Sequence, residues 1–249
     1  MFINNLDPTL LSIGPFEIRY YGIVYVIGFL LVYYILNLYR KKGKLDLTSD
    51  DIDNYILYLM IGVILGARLV HMFFTDPGYY LSNPINMLKI WEGGVAFHGG
   101  LLGAIIVSYY FAKKKNIPFL KLADIIVLPA AFVLALGRIA NFINGELYGT
   151  ITNVSWCVKF QAADGCRHPS QLYAALKRFI IFGIIYALSR KEHKDGFLFW
   201  TFIVLIAIGR LIVDLYRETF RIIGLSVGQW FSVIMIAIGI YVLVKYYRK

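Results

Sequence analysis

A small set of polar residues stands inside or beside long apolar stretches of this 249-residue chain. Tyr21, Arg68, His71, His98, Arg138, Asn141, Arg210 and Asp214 lie within them, with Asn144, Glu146 and Arg217 just beyond. Arginine forks hold phosphate oxygens through paired, charge-assisted hydrogen bonds. A neutral imidazole can take a proton from a nucleophile, and a desolvated, cation-rich site keeps it neutral. These residue types therefore suit a phosphate ester and a proton transfer. Arg138 and Asn141 share a helix face at i, i+3, and Arg210 and Asp214 can pair locally at i, i+4. Each group also has a plainer reading. The arginines could form ion pairs between helices, and Gly99, Gly100 and Gly103 beside His98 suit close helix packing. Arg138 fits that plainer reading least. No carboxylate on its own face compensates it, and Glu146 is two turns on.

Composition says what must carry these residues. Hydrophobic residues are 59% and charged residues 16%, against roughly 45–50% and 25% in soluble domains. Mean hydropathy is +0.66. A spanning helix needs about 20 apolar residues, so seven spans would leave only short loops. A soluble enzyme, a disordered chain and a disulfide-rich secreted module are excluded. Continuous rather than alternating apolar runs argue against an outer-membrane barrel. The expected fold is an all-α polytopic membrane protein with a single integral-membrane domain. Its spans are expected at about Ile18–Tyr39, Ile52–Phe74, Val95–Ala112, Leu120–Phe142, Leu172–Leu188, Gly196–Tyr216 and Val227–Tyr247. The third is short and opens with His98-Gly99-Gly100, and the fifth carries Lys177 and Arg178 in its first turns. No strong internal repeat is visible. The start, Met1-Phe2-Ile3-Asn4-Asn5, lacks the basic region of a cleavable signal peptide.

The net charge of +10 could suggest nucleic acid in a soluble protein, but in a membrane protein it first reports topology and anionic lipid. Arg40, Lys41, Lys42, Lys44, Lys113, Lys114, Lys115, Lys121, Arg190, Lys191, Lys194, Lys245, Arg248 and Lys249 all fall on one side in a seven-span model. The positive-inside rule makes that side cytoplasmic, so the N-terminus is expected outside and the C-terminus inside. Tyr21, Arg68, His71, His98, Arg138, Asn141, Arg210 and Asp214 then gather near the outer leaflet. An arginine at a helix centre costs about 2.5–3.5 kcal/mol on insertion scales, so a chain keeps several only for structure or function. At that level the available phosphate is a phospholipid headgroup, and an anionic phospholipid is the natural ligand.

Several absences discriminate. No cluster has the spacing of magnesium or zinc ligands, no Gly-rich nucleotide loop appears, and no Ser-centred nucleophile elbow appears. Cys157 and Cys166 fall in one outer loop, where either a disulfide or two thiols are permitted. A catalytic cysteine is disfavoured. Asp124, near the inner end of the fourth span, reads as a helix-end or packing residue.

The stretch Gly137-Arg138-Ile139-Ala140-Asn141-Phe142-Ile143-Asn144-Gly145-Glu146-Leu147-Tyr148-Gly149 resembles the signature of bacterial prolipoprotein diacylglyceryl transferases, G-R-x-[GA]-N-F-x-N-x-E-x-x-G, at every fixed position. Similar stretches follow the family's order: Ser12-Ile13-Gly14-Pro15, Tyr20-Tyr21-Gly22, Trp91-Glu92-Gly93-Gly94 with Phe97-His98-Gly99-Gly100, Arg167-His168-Pro169-Ser170-Gln171-Leu172-Tyr173, and Arg210 through Arg217. The resemblance implies transfer of the diacylglyceryl group of phosphatidylglycerol to the lipobox cysteine in a prolipoprotein signal peptide. A thioether forms and glycerol phosphate leaves. It implies no metal and no soluble cofactor. It also implies a multi-pass protein of the bacterial cytoplasmic (inner) membrane with its active site near the outer leaflet. Matched to the family's motifs, His98, Arg138 and Arg210 are the expected catalytic residues. Tyr21, Asn141, Glu146, Gly149 and Arg217 are the expected substrate-binding ones. The loop between Asn144 and His168 is short for that family, and Tyr20 stands where it often has Trp.

In mechanistic terms, Arg138 and Arg210 would clamp the phosphate, where negative charge grows as sulfur attacks carbon. His98 would take the thiol proton, unless neighbouring arginines depress the thiol pKa enough to spare a base. The rival from another class is an anion or anionic-lipid carrier using the same arginines. Carriers often show repeated halves and midplane sites, which this chain lacks.

Overall fold

The structure is a computed structural model, and it describes residues 2–14, 16–89 and 94–248. Pro15 and the Trp91-Glu92-Gly93 portion of the quoted motif lie outside the described residues.

In lipid every backbone N–H and C=O must be satisfied within its own segment, so long apolar stretches become helices. Among the described residues eight α-helices follow one another: α1 (Tyr20–Lys41), α2 (Ser49–Val70), α3 (Pro77–Ser82), α4 (Phe97–Lys114), α5 (Phe119–Ile143), α6 (Ser170–Ser189), α7 (Phe197–Val213) and α8 (Val227–Val242). Among the described residues six segments are long and apolar enough to cross a membrane: Tyr20–Lys41, Ser49–Thr75, Phe119–Ile143, Ser170–Ser189, Phe197–Tyr216 and Val227–Tyr247. The chain is thus a largely helical, multi-pass membrane protein. Six of the seven expected spans correspond to these segments. The third expected span is helical as α4, but it falls short of them in apolar character. It carries His98, three glycines and, at its end, Lys113 and Lys114 within 18 residues.

Short strands add what a purely helical reading omits. β1 (Phe2–Asn4) pairs in parallel with β4 (Val158–Phe160), which pairs antiparallel with β5 (Cys166–Arg167). β2 (Thr9–Ile13) with β3 (Phe16–Arg19), and β6 (Arg221–Ile222) with β7 (Leu225–Ser226), form hairpins. Segments this short have no strand signature of their own, because their partners come from elsewhere in the fold. Cys157 and Cys166 are joined in a disulfide with Cα atoms 5.5 Å apart, which resolves the choice that the sequence left open.

The chain divides into two compact units. The first holds residues up to Leu31 and those from Ala123 onward. Its core interleaves Val127 and Ala131 of α5, Ile181 and Ile185 of α6, and Leu198 and Phe202 of α7. At one end of α7 the Asp124 carboxylate of α5 accepts the backbone N–H groups of Gly196 and Phe199, both at 2.7 Å. A carboxylate there satisfies donors that the helix start leaves open and complements its positive end. Asp124 is therefore a helix-end residue, for a helix other than its own. A Ser226–Gln229 capping box starts α8.

The second unit, Val32–Leu122, is organised by α2 against α4. A Cβ on Gly99 would collide with the Gly66 carbonyl and with Val70, and one on Gly103 with the backbone of Gly62. Glycines at these positions let the two helix backbones touch, as small residues do in membranes. The Tyr55 hydroxyl meets Ser108 Oγ at 2.7 Å within this unit. A Thr48–Asp51 capping box starts α2.

Candidate active site

The end of α5 carries a hydrogen-bonded relay. Arg138 Nη1 donates to Asn141 Oδ1 at 3.2 Å, and Asn141 Nδ2 donates to Glu146 Oε1 at 2.6 Å. The i, i+3 spacing places the first pair, and a turn after Ile143 brings Glu146 back, its N–H bonded to the Asn141 carbonyl at 3.1 Å. Glu146 therefore reaches Arg138 through the buried Asn141 amide. Among the described residues Arg138 spends only Nη1 on protein, leaving its other N–H groups for a ligand.

The end of α7 carries a second arginine set. Arg210 Nε donates to Asp214 Oδ2 at 3.3 Å, as its spacing predicts. Asp214, only 2% exposed, also accepts Ser226 Oγ at 3.0 Å and lies 3.7 Å from Arg217 Nη1. One buried carboxylate is thus shared by two arginines and a hydroxyl. The Arg210 guanidinium lies against Gly228 at the start of α8, where any side chain would displace it.

α6 contributes two further cations, whose place at the site the sequence reading did not draw out. The Lys177 stem lies against Gly209, next to Arg210. Arg178 Nη1 donates to the Leu134 carbonyl at 2.9 Å, one helical turn before Arg138. Arg138, Lys177, Arg178 and Arg210 lie within electrostatic reach of one another, with Tyr21 of α1 in the neighbourhood of Arg138 and Arg178. Asp214 lies within the same reach of Arg138 and Lys177. Positive charge exceeds negative here, within helices whose surroundings are apolar. The signal was present in the sequence: a Lys-Arg pair inside the first turns of a span is costly unless it does something.

The loop after α5 is held by the residues from Arg167 onward. Arg167, 8% exposed, pairs with Glu218, lies over the Tyr148 ring at 4.9 Å and donates to the Gly149 carbonyl at 3.2 Å. Ser170 Oγ donates to the Leu147 carbonyl at 2.9 Å, and Gln171 Nε2 to the Glu146 carbonyl at 2.7 Å. Gly149 N–H donates to the His168 carbonyl at 2.9 Å, and Thr150 N–H to the Tyr216 carbonyl at 2.9 Å. A Cβ on Gly149 would strike both of those carbonyls, so only glycine lets three segments cross there. What the fold gives Gly149 is this backbone junction.

His98 belongs to the second unit, in the first turn of α4, with an exposed side chain. Tyr21, Arg138, Asn141, Glu146, Gly149, Arg210 and Arg217 belong to the first. Seven of the eight expected site residues therefore fall in one compact unit, and the expected base falls in the other.

The model of the family described as prolipoprotein diacylglyceryl transferase matches residues 8–245. The chain belongs to that family. It is 42% identical to the phosphatidylglycerol–prolipoprotein diacylglyceryl transferase of Geobacter sulfurreducens, over 98% of this chain and 97% of that protein. Proteins of the same name from Rickettsia canadensis and Bordetella parapertussis are 41% and 40% identical, over 96% and 94% of this chain and 96% and 93% of theirs. Members of this family that resemble the chain over nearly their whole length thus bear out the signature read from Gly137 to Gly149.

Proposed function

We propose that the chain transfers the diacylglyceryl group of phosphatidylglycerol to the lipobox cysteine of prolipoproteins, the first step of bacterial lipoprotein maturation. The thiol sulfur bonds to the glycerol carbon, the carbon–oxygen bond to phosphate breaks, and glycerol phosphate departs with the electron pair. The observation that carries this reading is the arginine set of the first unit. Among the described residues Arg138 gives only Nη1 to protein, and Arg210 and Arg217 share one buried carboxylate. In apolar surroundings such fixed donors stabilise a phosphate gaining charge far better than water does.

Arg138 and Arg210 clamp the phosphate. Asn141 and Glu146 hold the Arg138 fork in plane, Tyr21 and Arg217 contact the headgroup, and Gly149 keeps the loop that presents Glu146. His98 takes the thiol proton, an assignment resting on its motif rather than on geometry. The chain crosses the bacterial inner membrane seven times, α4 included, with the N-terminus outside and the C-terminus cytoplasmic. The Cys157–Cys166 disulfide supports that sidedness, because disulfides persist on the oxidising side of the membrane. It lies in the loop joining α5 to α6, next to the arginine set, which favours an active site near the outer leaflet.

Membranes carrying the chain, given glycerol-labelled phosphatidylglycerol and a lipobox peptide, should release labelled glycerol phosphate and yield a lipidated peptide. Folded protein that produces neither would overturn the reading. His98→Gln should lower the rate most at low pH, where fewer thiols ionise unaided. A variant matching the parent across pH would move the base elsewhere.

A further inference from the structure

The family signature accounts for Arg138, Arg210 and Arg217, but it leaves Lys177 and Arg178 without a role. Both stand well inside an apolar helix. Seven residues separate Lys177 from the first residue of α6, about 10 Å along the axis. Neither has an ion pair among the described residues. Arg178 Nε is buried with no hydrogen-bond partner, although Nη1 is anchored on the Leu134 carbonyl. Both side chains are half-buried, and cations without an ion pair are costly within an apolar helix, so the pair is out of place in a merely structural helix.

Its geometry suggests the missing partner. α6 packs against both arginine helices. Arg178 reaches α5 one turn from Arg138, and Lys177 reaches α7 beside Arg210. The two cations thus stand beside the groups already assigned to the phosphate, one against each arginine helix. The ligand's charge also changes during the reaction. The phosphodiester of the lipid carries one negative charge, whereas a phosphate monoester carries about −1.5 to −2 at pH 7.

We propose that Lys177 and Arg178 complete the phosphate site, binding the phosphate group as it leaves the lipid and holding the glycerol phosphate product more strongly than the intact headgroup. Arg178 supplies a directional fork with Nε unspent, and Lys177 supplies a point charge beside Arg210. This rests on the transfer reading for the identity of the anion. The charge-matching itself applies to any phosphate that gains charge at this site.

The test uses the purified full chain in micelles of phosphatidylcholine with varied phosphatidylglycerol. Lys177→Gln, Arg178→Gln and the double variant are compared with the parent. Two quantities are read: inhibition of transfer by free glycerol phosphate, and the rise in unfolding temperature that glycerol phosphate produces. The double variant should bind glycerol phosphate about tenfold or more weakly, as expected for loss of charge-assisted contacts. Its kcat should fall, while KM for phosphatidylglycerol changes less. Arg178→Lys should recover part of the binding. Parent-like glycerol phosphate affinity in both single variants and the double variant overturns the proposal, whatever their transfer rate, because a purely structural pair would lower activity without touching that affinity. Should the double variant fail to fold, the single variants decide by the same measure. If the parent shows no transfer yet is stabilised by glycerol phosphate, the transfer reading fails. The unfolding temperatures still judge the pair.

Discussion

Arg68 in the second unit and Arg138 in the first both sit in apolar helices, and their surroundings are opposite. The Arg68 side chain is 4% exposed and donates to the carbonyls of Asn86, Lys89, Met87 and Gly94 at 2.7, 3.0, 3.4 and 3.2 Å. It also lies over the Tyr80 ring at 5.0 Å. Its guanidinium braces backbone oxygens of the connection that follows α3. Arg138 instead makes one hydrogen bond among the described residues and stands among other cations. The lesson is that burial alone does not mark a binding arginine. What marks it is donor capacity left over where like charges accumulate.

That contrast can be broken by substitution. The largest effect is expected at Arg138→Lys. Losing the fork while keeping the charge should cut kcat/KM for diacylglyceryl transfer roughly a hundredfold, about 2.7 kcal/mol of transition-state stabilisation, with little change in unfolding temperature. Parent-like turnover there would reject the clamp. Arg68→Met should do the reverse. Losing these hydrogen bonds should cost about 2–3 kcal/mol of stability, visible as a lower unfolding temperature and as protease cleavage between residues 76 and 89. A folded Arg68→Met protein as inactive as Arg138→Lys would erase the distinction between scaffold and ligand arginine.

Two smaller changes sharpen the contrast. Gly149→Ala forces a methyl against the His168 and Tyr216 carbonyls and should cost about 1–3 kcal/mol. Activity should fall with it, because Glu146 loses its presentation. Asp124→Asn removes a charge from the start of α7 but keeps an acceptor, so about 1 kcal/mol is expected, with transfer per folded molecule unchanged.

Much of this was legible in the residues alone. Apolar runs of span length left little choice but helices, and the Gly137–Gly149 stretch matched one family at every fixed position. The i, i+3 and i, i+4 pairs at Arg138 and Arg210 formed as spacing required, since a helix sets those neighbours by its own geometry. Other features were not legible. Arg68 carried no mark of its partners, which lie 18 to 26 residues away. Lys177 and Arg178 read as flaws in a span until their contacts with α5 and α7 were seen. The pairing of β1 with β4 joins segments more than 150 residues apart, and no local pattern announces it.

The order of residues thus decided the membrane class, the helices, the family and which arginines could bind a phosphate. These depend on composition, periodicity and short spacings, all local properties. Only the folded chain decided which arginine is already consumed, which carboxylate is shared, and that α6 adds two cations to the site. Those outcomes depend on which side chains meet across helices, because a charge becomes a binding group or a brace according to the partners that packing brings within reach of it.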